Sequence, residues 1–544
     1  MGKLRVFGGS LSSGVYARIP PGSSSEDYTI GSIIAVRGIK RTFLAVVGDV
    51  HHRTGVAAAE SLSGSPEPPA QAISQLRGRT LGSMVTLIPV AQTDSSGEVE
   101  EATTIPDYLT EGSEPTEEEV AEFYGTPDYK LKWPIGSPKN STAQVPLDVD
   151  ALTRGCFGIF GKSGTGKTFL GNLIAAAIAV ASRHMEGQPP VKLLILDMHS
   201  EYALKVKDQL GRDYEKGVGQ ALREEFLSYT IDKTLEQEHG LKMFTLPARS
   251  LTIEDIVACE KALGLTPKFI ELLPSLARRI RSWLRENRDS RSWLEWLVKA
   301  DEEEVQKFFR EKSVQPGERH SLLSARSRLQ RLEKFEFMAW APIQEDSASE
   351  VVQAIVEQGR SCIVAFGRYG DDALAYMLVA NILARRIWEK YVDMAMRGQK
   401  PRSRLVIFLE EAHKFLAPDV YYKTPFGNIA RELRKRGVVL CIIDQRPSQI
   451  SDEVMAMLWN KFIMNLAEEK DIETATIGLP FKKLFKPLVE RLRRGEALLF
   501  GEAVKIPAVV KVADYRQMIK ELEQEYKRTL ETPESRALAE AYGY

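Results

Sequence analysis

The stretch Gly161-Lys-Ser-Gly-Thr-Gly-Lys-Thr168 fits the pattern G-x-x-x-x-G-K-[ST] at every defined position. It follows an apolar run over 156–160 that predicts a strand, and it opens a predicted helix that begins at Thr168. Glycines at these positions let consecutive backbone N–H groups point at phosphate oxygens, and the helix N-terminus adds partial positive charge. The stretch therefore predicts a phosphate-binding loop. A plain glycine turn before a helix is the alternative interpretation.

ATP and Mg²⁺ are the ligands that this loop predicts. The Lys167 side chain is expected to reach the β- and γ-phosphates, and the Thr168 hydroxyl is expected to bind Mg²⁺. The predicted nucleotide contacts in the loop are Gly161, Ser163, Gly164, Thr165, Gly166, Lys167, Thr168 and Phe169.

A second apolar run, Arg404-Leu-Val-Ile-Phe-Leu-Glu-Glu411, ends in two carboxylates. Acids at the end of a strand beside a phosphate loop hold Mg²⁺ and act on the attacking water. Glu410 is therefore a predicted metal ligand, and Glu411 is predicted to position or activate water. The alternative is a strand that leads into a helix, with the acids at its favourable N-terminus.

Two further polar groups lie near predicted strand ends. Gln445 follows the apolar run 438–443 and is expected to sense the γ-phosphate; its alternative role is a turn residue before Pro447. The basic run 431–436 is either compensation of a helix C-terminus or the source of an arginine that stabilises transition-state charge. Asp197, with its neighbours over 198–202, is expected to lie in a loop at the nucleotide-binding edge, and a metal site there is only weakly indicated.

The fold class follows from the order of these runs. Apolar runs alternate with helical patterns from residue 146 onward, which indicates an α/β domain with a parallel sheet buried on both faces. Short runs rich in β-branched residues over the first 90 or so positions predict a small barrel before it. Leucine, glutamate and arginine at helical spacing over 205–345 predict a helical insertion, in which Arg326, Arg328 and Arg331 are interpreted as a solvated face, with DNA contact as the alternative.

We accordingly predict four parts. These are a barrel domain with an acidic loop over 1–145, an α/β core over 146–204 and 346–514, the helical insertion over 205–345, and a charged helical extension over 515–544 with few apolar anchors. The stretch 80–129 has no lysine or arginine and is interpreted as a solvated acidic linker or loop; an acidic surface that repels DNA from the outside of an assembly is the alternative.

The composition excludes a disordered chain, a collagen and a disulfide scaffold. The chain has 544 residues, of which 43% are hydrophobic and 27% charged, which is typical of a globular protein. Its 73 basic and 74 acidic residues give a net charge of −1, so any contact with nucleic acid must be local. Four cysteines without a C-x-x-C pair and the absence of a long apolar run predict a cytoplasmic protein that does not enter a membrane.

Six segments in this order carry a family resemblance. They are Gly158-Ile-Phe-Gly-Lys-Ser-Gly-Thr-Gly-Lys-Thr168, Asp197-Met-His-Ser-Glu-Tyr202, Leu409-Glu-Glu-Ala-His-Lys-Phe415, Ala430-Arg-Glu-Leu-Arg-Lys-Arg-Gly437, Asp444-Gln-Arg-Pro-Ser448 and Gly495-Glu-Ala-Leu-Leu-Phe-Gly501. Together they resemble the HerA family, in the FtsK/HerA branch of RecA-like P-loop ATPases, over most of 150–515. The sequence departs from the family pattern at Ser200 and Leu433, where the family often has glycine.

The resemblance implies a homo-hexameric ring that moves double-stranded DNA through its centre at the expense of ATP. It also implies a NurA-type nuclease as partner, in DNA end resection and double-strand break repair. Two alternatives remain: a nucleotide-dependent scaffold that activates a partner nuclease in phage defence, and an ATPase of the conjugation or secretion type.

The resemblance also implies roles for single residues. Glu411 is the catalytic acid, Gln445 is the sensor, and Lys167 and Thr168 bind nucleotide and Mg²⁺. Arg434 is the first choice for an arginine finger supplied to the neighbouring subunit, with the arginines at positions 431 and 436 as alternatives. Arg154 corresponds to an arginine that contacts nucleotide in the family.

Overall fold

The computed structural model describes residues 2–54, 81–94, 96–208, 210–340 and 345–531. The chain forms two compact units. The first unit consists of Met1–Gly171, Ile443–Ser448 and Met455–Met518, and the second unit consists of Asn172–Ile442, Gln449–Val454 and Ile519–Tyr544.

The elements of the described residues are as follows. The strands are β1 Leu4–Ser10, β2 Gly14–Arg18, β3 Ile33–Arg37, β4 Thr42–Thr54, β5 Leu81–Thr93, β6 Val99–Glu101, β7 Glu111–Ser113, β8 Lys132–Pro138, β9 Val145–Asp148, β10 Phe157–Phe160, β11 Val191–Asp197, β12 Lys205–Lys207, β13 Asp213–Lys216, β14 Phe226–Thr230, β15 Lys242–Met243, β16 Leu246–Pro247, β17 Met338–Ala339, β18 Ser361–Ala365, β19 Arg404–Glu410, β20 Val438–Asp444, β21 Asn460–Ile463, β22 Glu496–Gly501 and β23 Ala508–Val512. The α-helices are α1 Glu117–Tyr124, α2 Val149–Leu152, α3 Lys167–Ser182, α4 Val218–Ala221, α5 Lys233–His239, α6 Ile253–Ala258, α7 Glu260–Leu263, α8 Pro267–Glu286, α9 Trp293–Lys299, α10 Glu302–Glu311, α11 Pro316–Leu329, α12 Ser347–Val356, α13 Ala373–Met396, α14 His413–Leu416, α15 Pro425–Glu432, α16 Asp452–Ala456, α17 Glu469–Ala475, α18 Lys482–Glu490 and α19 Tyr515–Glu531.

A closed barrel begins the first unit and confirms the predicted β-rich domain. Its strands follow one another in the order β2-β1-β7-β3-β4-β5, and β5 pairs back onto β2 to close the ring. Alternate residues of each strand point inward, so Leu4, Val6, Ile34, Val36 and Val47 are fully buried in one apolar cluster.

The acidic stretch 80–129 is not a linker, and this interpretation was wrong. It contains β5, β6, β7 and α1, and β5 and β7 are two of the six strands in the barrel ring. Most of its carboxylates lie at exposed positions, while Val120 and Phe123 on α1 are fully buried. Short strands and helices that carry acids on their solvent side resemble a solvated loop in sequence. In such strands only every second residue is apolar, so no apolar run marks them.

The rest of the first unit holds a sheet in the order β10-β21-β22-β23-β8-β9. Strands β10 and β21 are parallel, with Phe160 opposite Ile463, whereas each later pair is antiparallel. All four residues of β10 are buried. The predicted strand before the phosphate loop is therefore present.

The second unit holds strands in the order β15-β14-β18-β11-β19-β20, with β11 parallel to both β18 and β19. Every residue of β11 and of β20 is buried. Strands that are covered on both faces read as continuous apolar runs, and the predicted parallel α/β sheet is confirmed.

The stretch 205–345 is only partly helical, which corrects the predicted helical insertion. Strand β14 lies inside this stretch and pairs in parallel with β18 over Phe226–Thr230, so the sheet continues beyond residue 205. The helices α6 to α11 occupy Ile253 to Leu329. A five-residue strand between charged turns is too short to show a clear period in sequence.

The basic series in these helices is not a fully solvated face, contrary to the prediction. The Arg326 guanidinium donates to the backbone oxygen of Leu297 at 3.0 Å and to that of Ala300, at the C-terminal end of α9. Arg331 donates to the backbone oxygen of Ala262 at 3.1 Å. Helix ends leave backbone carbonyls without partners, and these arginines supply the missing donors.

The C-terminal helix α19 is better anchored than its charged sequence predicts. Within the second unit, Ile519, Leu522 and Tyr526 are buried. The Tyr526 hydroxyl donates to Glu225 at 3.2 Å, and Glu225 also accepts from the Lys192 ammonium at 2.8 Å. The four cysteines of the chain are buried free thiols, and no helix within the described ranges is both long and apolar enough to cross a membrane.

A buried lysine lies on β21. Lys461 is 2% exposed, donates through Nζ to the Ile477 carbonyl, and lies 5.8 Å from the ring centroid of Phe500. Burial lowers the pKa of the Lys461 ammonium to about 8. The folded protein therefore carries an unfavourable buried charge at neutral pH.

Lys461→Met should stabilise the protein at neutral pH. The folded-state pKa lies below that of an unfolded lysine, so the cost of the charge is complete below about pH 8 and fades as pH rises toward about 10.4. Thermal unfolding should show a gain on the order of 2 kcal/mol at pH 7 and little gain at pH 10. Lys505→Met, at an exposed position, is the control. Equal gains at both pH values would contradict this account.

Candidate functional site

The phosphate loop of the first unit is fixed at its start by two backbone bonds. The Gly161 amide donates to the Asp444 carbonyl at 3.3 Å, and the Lys162 amide donates to the Asn465 carbonyl at 2.9 Å. The Asn465 side-chain amide in turn donates to the backbone oxygens of Glu490 and Leu492 at 2.8 and 2.9 Å. The loop therefore begins from a rigid support and then turns outward.

Glycine is required at defined points of this loop. A Cβ atom on Gly161 would lie 2.8 Å from Thr165 Oγ1 and 2.9 Å from Met464 Cβ. Gly164 and Gly166 have φ of 75° and 111°, in the left-handed region that favours glycine. Residues 162–164 are exposed, so the outer part of the loop is open to a ligand.

The Lys167 ammonium lies across the loop. Its Nζ donates to the Gly161 carbonyl at 2.7 Å and to the Lys162 carbonyl at 3.1 Å. The Thr165 hydroxyl donates to the same Lys162 carbonyl at 2.8 Å, and the Thr165 carbonyl accepts from the Gly495 amide at 3.1 Å. The loop backbone thus holds the Lys167 ammonium at two of its carbonyl oxygens, where the positive charge is available to a phosphate group.

Of the remaining predicted contacts, Ser163 lies in the loop, and Thr168 and Phe169 lie in the first turn of helix α3. Ser163 is exposed, and Thr168 and Phe169 are half-buried. The Phe169 ring packs edge-on against Tyr515, with centroids 5.1 Å apart. The fit of the loop to a nucleotide therefore rests on Lys167, the glycines and the helix N-terminus, which are all in place.

Gln445 is brought next to the loop, because its neighbour Asp444 accepts the Gly161 bond. The Asp444 carboxylate accepts the Arg446 amide at 2.8 Å, which fixes the turn that carries Gln445. Gln445 itself is half-buried. This placement is compatible with its predicted role, which stays a prediction.

In the second unit, the Asp197 carboxylate organises the turn after β11. It accepts the backbone amides of Glu201, Tyr202 and Ala203 at 2.9, 3.0 and 2.7 Å. Burial raises the pKa of Asp197 to about 7, while these amides act in the opposite direction. Both oxygens therefore accept backbone amides, and the group holds the shape of this loop; His199 is exposed.

Glu410 ends β19 and is almost fully buried. Its Oε2 accepts the Met198 amide at 3.1 Å, and its backbone oxygen accepts the Tyr376 hydroxyl at 2.7 Å. Burial raises the pKa of Glu410 well above its usual range, and the negative charge of Asp197 adds to this effect. A cation beside Glu410 would reverse the shift by favouring the carboxylate.

Glu411 follows in a strained backbone conformation. Its φ of 47° lies in the left-handed region, and its half-buried carboxylate lies 3.6 Å from His413 Nδ1. Strain of this kind in a residue other than glycine is concentrated at functional positions. Ser200 has a φ of 61°, which explains why glycine suits this position, and its hydroxyl accepts the Gly367 amide at 3.1 Å.

The basic run 431–436 presents three different arginines. Arg431 is exposed and bonds Asn428 at 2.8 Å, whereas Arg436 donates to the Tyr391 carbonyl at 3.3 Å. Arg434 is half-buried. The choice among them stays a prediction.

Arg154 is not brought to the loop of its own chain. It lies before the start of β10, whereas the loop follows the end of that strand, and its guanidinium pairs with Asp150.

Sequence reasoning missed three supporting residues. Asn465 holds the loop, Tyr376 fixes the end of β19, and Gly495 donates to the loop backbone. Asn465 ends an apolar run in the sequence, but nothing in that run shows which backbone groups its side chain binds. No sequence signal pointed to Tyr376, because it lies at the start of α13 and meets Glu410 at the end of β19 only when helix and strand pack together.

Comparisons with known proteins point to one family. The family model described as "Helicase HerA, central domain" matches residues 133–387. The chain is 30% identical over 189 residues to the DNA double-strand break repair helicase HerA of Saccharolobus solfataricus, covering 33% of this chain and 37% of the relative. It is 28% identical over 211 residues to the protein of the same name from Sulfurisphaera tokodaii, covering 36% of this chain and 41% of the relative.

The matched segments thus span about two fifths of the length of these curated relatives. Among solved structures, VirB4 of Thermoanaerobacter pseudethanolicus is similar with a TM-score of 0.45 and 16% identity, covering 72% of this chain and 100% of that one.

Lys167→Ala should weaken nucleotide binding, because its ammonium is the charge at the centre of the loop. A charge-assisted contact of this kind contributes about 1.5–3 kcal/mol, so affinity for a fluorescent ATP analogue should fall at least about tenfold. Lys162→Ala is the matched control, since that side chain is exposed in the same loop. Unchanged binding by Lys167→Ala would remove the site assignment.

Proposed function

We propose that the chain is a member of the HerA family, to whose central domain residues 133–387 are similar, and that it is an ATP-driven motor that moves double-stranded DNA. The observation that carries this proposal is the phosphate loop. In it, the Lys167 ammonium is bound by the carbonyls of Gly161 and Lys162, and residues 162–164 are exposed. The DNA substrate is taken from the names of the relatives, which are DNA repair helicases.

The nucleotide contacts follow from the loop. When a phosphate group enters, Lys167 exchanges its bonds to the carbonyls of Gly161 and Lys162 for bonds to phosphate oxygens. Thr168, at the start of α3, supplies the hydroxyl for Mg²⁺. Mg²⁺ would supply charge neutralisation between the phosphates, and Glu410 is the proposed acidic residue on its coordination sphere.

Glu411 is the proposed residue that positions the attacking water. The support is its place directly after a buried strand, in a backbone conformation that holds its carboxylate off the strand axis. Gln445 is the proposed sensor of the γ-phosphate, since it follows the residue that anchors Gly161.

The proposed assembly is a homo-hexamer with an arginine finger supplied between subunits. Arg434 is the proposed finger, with the arginines at positions 431 and 436 as alternatives, and Arg154 is a proposed further nucleotide contact. A NurA-type nuclease is the proposed partner, in DNA end resection and double-strand break repair. The family and the repair function in the names of the relatives support these steps.

Linear double-stranded DNA should stimulate ATP hydrolysis by the purified protein. Glu411→Gln should lower turnover by about 100-fold or more while ATP affinity is retained, because Glu411 acts on water and not on binding. Glu303→Gln, an exposed acid on α10, is the control. Hydrolysis that is indifferent to DNA would favour the scaffold interpretation, and parallel loss of affinity and turnover would give Glu411 a structural role.

Arg434→Ala should abolish ATP hydrolysis, and mixing this variant with Lys167→Ala subunits should restore part of it. Subunits with Arg434→Ala keep an intact loop, whereas subunits with Lys167→Ala keep an intact finger. A mixture of the two inactive variants should therefore recover part of the ATPase activity, since some sites combine an intact loop with an intact finger. Lys435→Ala is the exposed control. No recovery, with assembly intact, would reject Arg434 as a residue acting between subunits.

A further inference from the structure

Helix α8 has one apolar face and one basic face. The buried side carries Phe269, Leu273, Leu276, Ile280 and Trp283. On the opposite side, Arg278, Arg281 and Arg285 are exposed. At 100° per residue these three arginines fall within an arc of about 60° and span about 10 Å along the axis, so they form one stripe.

These arginines carry no ion pair within the ranges that the structure describes. Within the described residues, the stripe has one side-chain hydrogen bond, from Arg285 Nε to the Arg281 carbonyl oxygen at 3.4 Å. Their neighbour Arg279 is treated differently, since it donates to Glu318 at 3.0 Å and to the Lys312 carbonyl at 2.7 Å. Arg279 therefore joins α8 to the neighbouring helix region, whereas the three guanidinium groups of the stripe are exposed to a ligand.

The chemistry around the stripe selects a polyanion. Protein interfaces use aromatic or aliphatic anchors in their centre, but the only large exposed hydrophobic residue in the described range 253–329 is Leu323, on another helix. Guanidinium groups bind phosphate with two parallel hydrogen bonds. Each strand of a duplex carries one phosphate per about 3.4 Å of axis, so three guanidinium groups over about 10 Å match about three phosphates of one strand.

We propose that the Arg278–Arg281–Arg285 stripe binds the phosphate backbone of double-stranded DNA. The inference rests on the proposed action on DNA and adds a second contact surface, on the helical part of the second unit and separate from the nucleotide loop. Contacts of this kind carry no sequence information. They hold the duplex and depend strongly on salt.

The experiment compares salt dependence of binding. Anisotropy of a fluorescein-labelled 30-base-pair duplex is measured from 50 to 300 mM NaCl with the full chain, the triple variant Arg278→Gln/Arg281→Gln/Arg285→Gln, and a charge-matched control. The control is Arg212→Gln/Arg397→Gln/Arg528→Gln, which removes three exposed arginines that pair with Asp208, Asp393 and Glu525. Glutamine keeps helix propensity and a polar surface.

The stripe variant should lower the slope of log K against log salt by about 2.7 and weaken binding at 150 mM by at least about tenfold, since each phosphate contact contributes about 0.9 to the slope. The control should follow the wild type, and ATP hydrolysis without DNA should be equal in all three proteins.

Two results would overturn the inference while leaving the proposed function standing. One is wild-type binding with an unchanged slope in the stripe variant, which would point to an acidic protein as the partner of the stripe. The other is an equal loss in the control, which would assign the effect to net charge. A wild-type protein that does not bind duplex DNA would instead reject the proposed function itself.

Discussion

When a strand is covered on both faces, a polar side chain at its end is buried and must find its hydrogen-bond partners in the turn that follows. Every residue of β11 and of β20 is buried, and each strand ends in an aspartate. Asp197 accepts three amides of its turn and Asp444 accepts one. A buried carboxylate is expensive without such donors, so the turns are fixed where functional residues must be held still.

In the phosphate loop, backbone carbonyls are the groups that need partners, and a positive charge satisfies them. Its inward carbonyls are satisfied by the Lys167 ammonium, and its first amides are satisfied by the carbonyls of Asp444 and Asn465. This arrangement is exchangeable, because a lysine bonded to two carbonyls gains more from a phosphate dianion than it loses. The backbone is therefore shaped before any nucleotide arrives, and little ordering cost remains for binding.

The sequence predicted those parts of the fold in which one residue pattern has one structural meaning. The loop at Gly161 and the continuous apolar strands were of this kind, as was the barrel at the N-terminus. The acidic stretch 80–129 and strand β14 were not, because alternation over three to five residues is also found in loops. Tyr376 and Asn465 could not be placed from sequence, since their partners are fixed only once the strands are in register.

A net charge of −1 is no obstacle to a role on DNA, because the charges are unevenly distributed along the chain. The barrel segment 81–129 contributes acids and no bases, whereas α8 exposes arginines without carboxylate partners in the described chain. Charges interact over about one Debye length, about 8 Å at physiological salt, so a duplex near α8 responds to the local stripe and not to the sum.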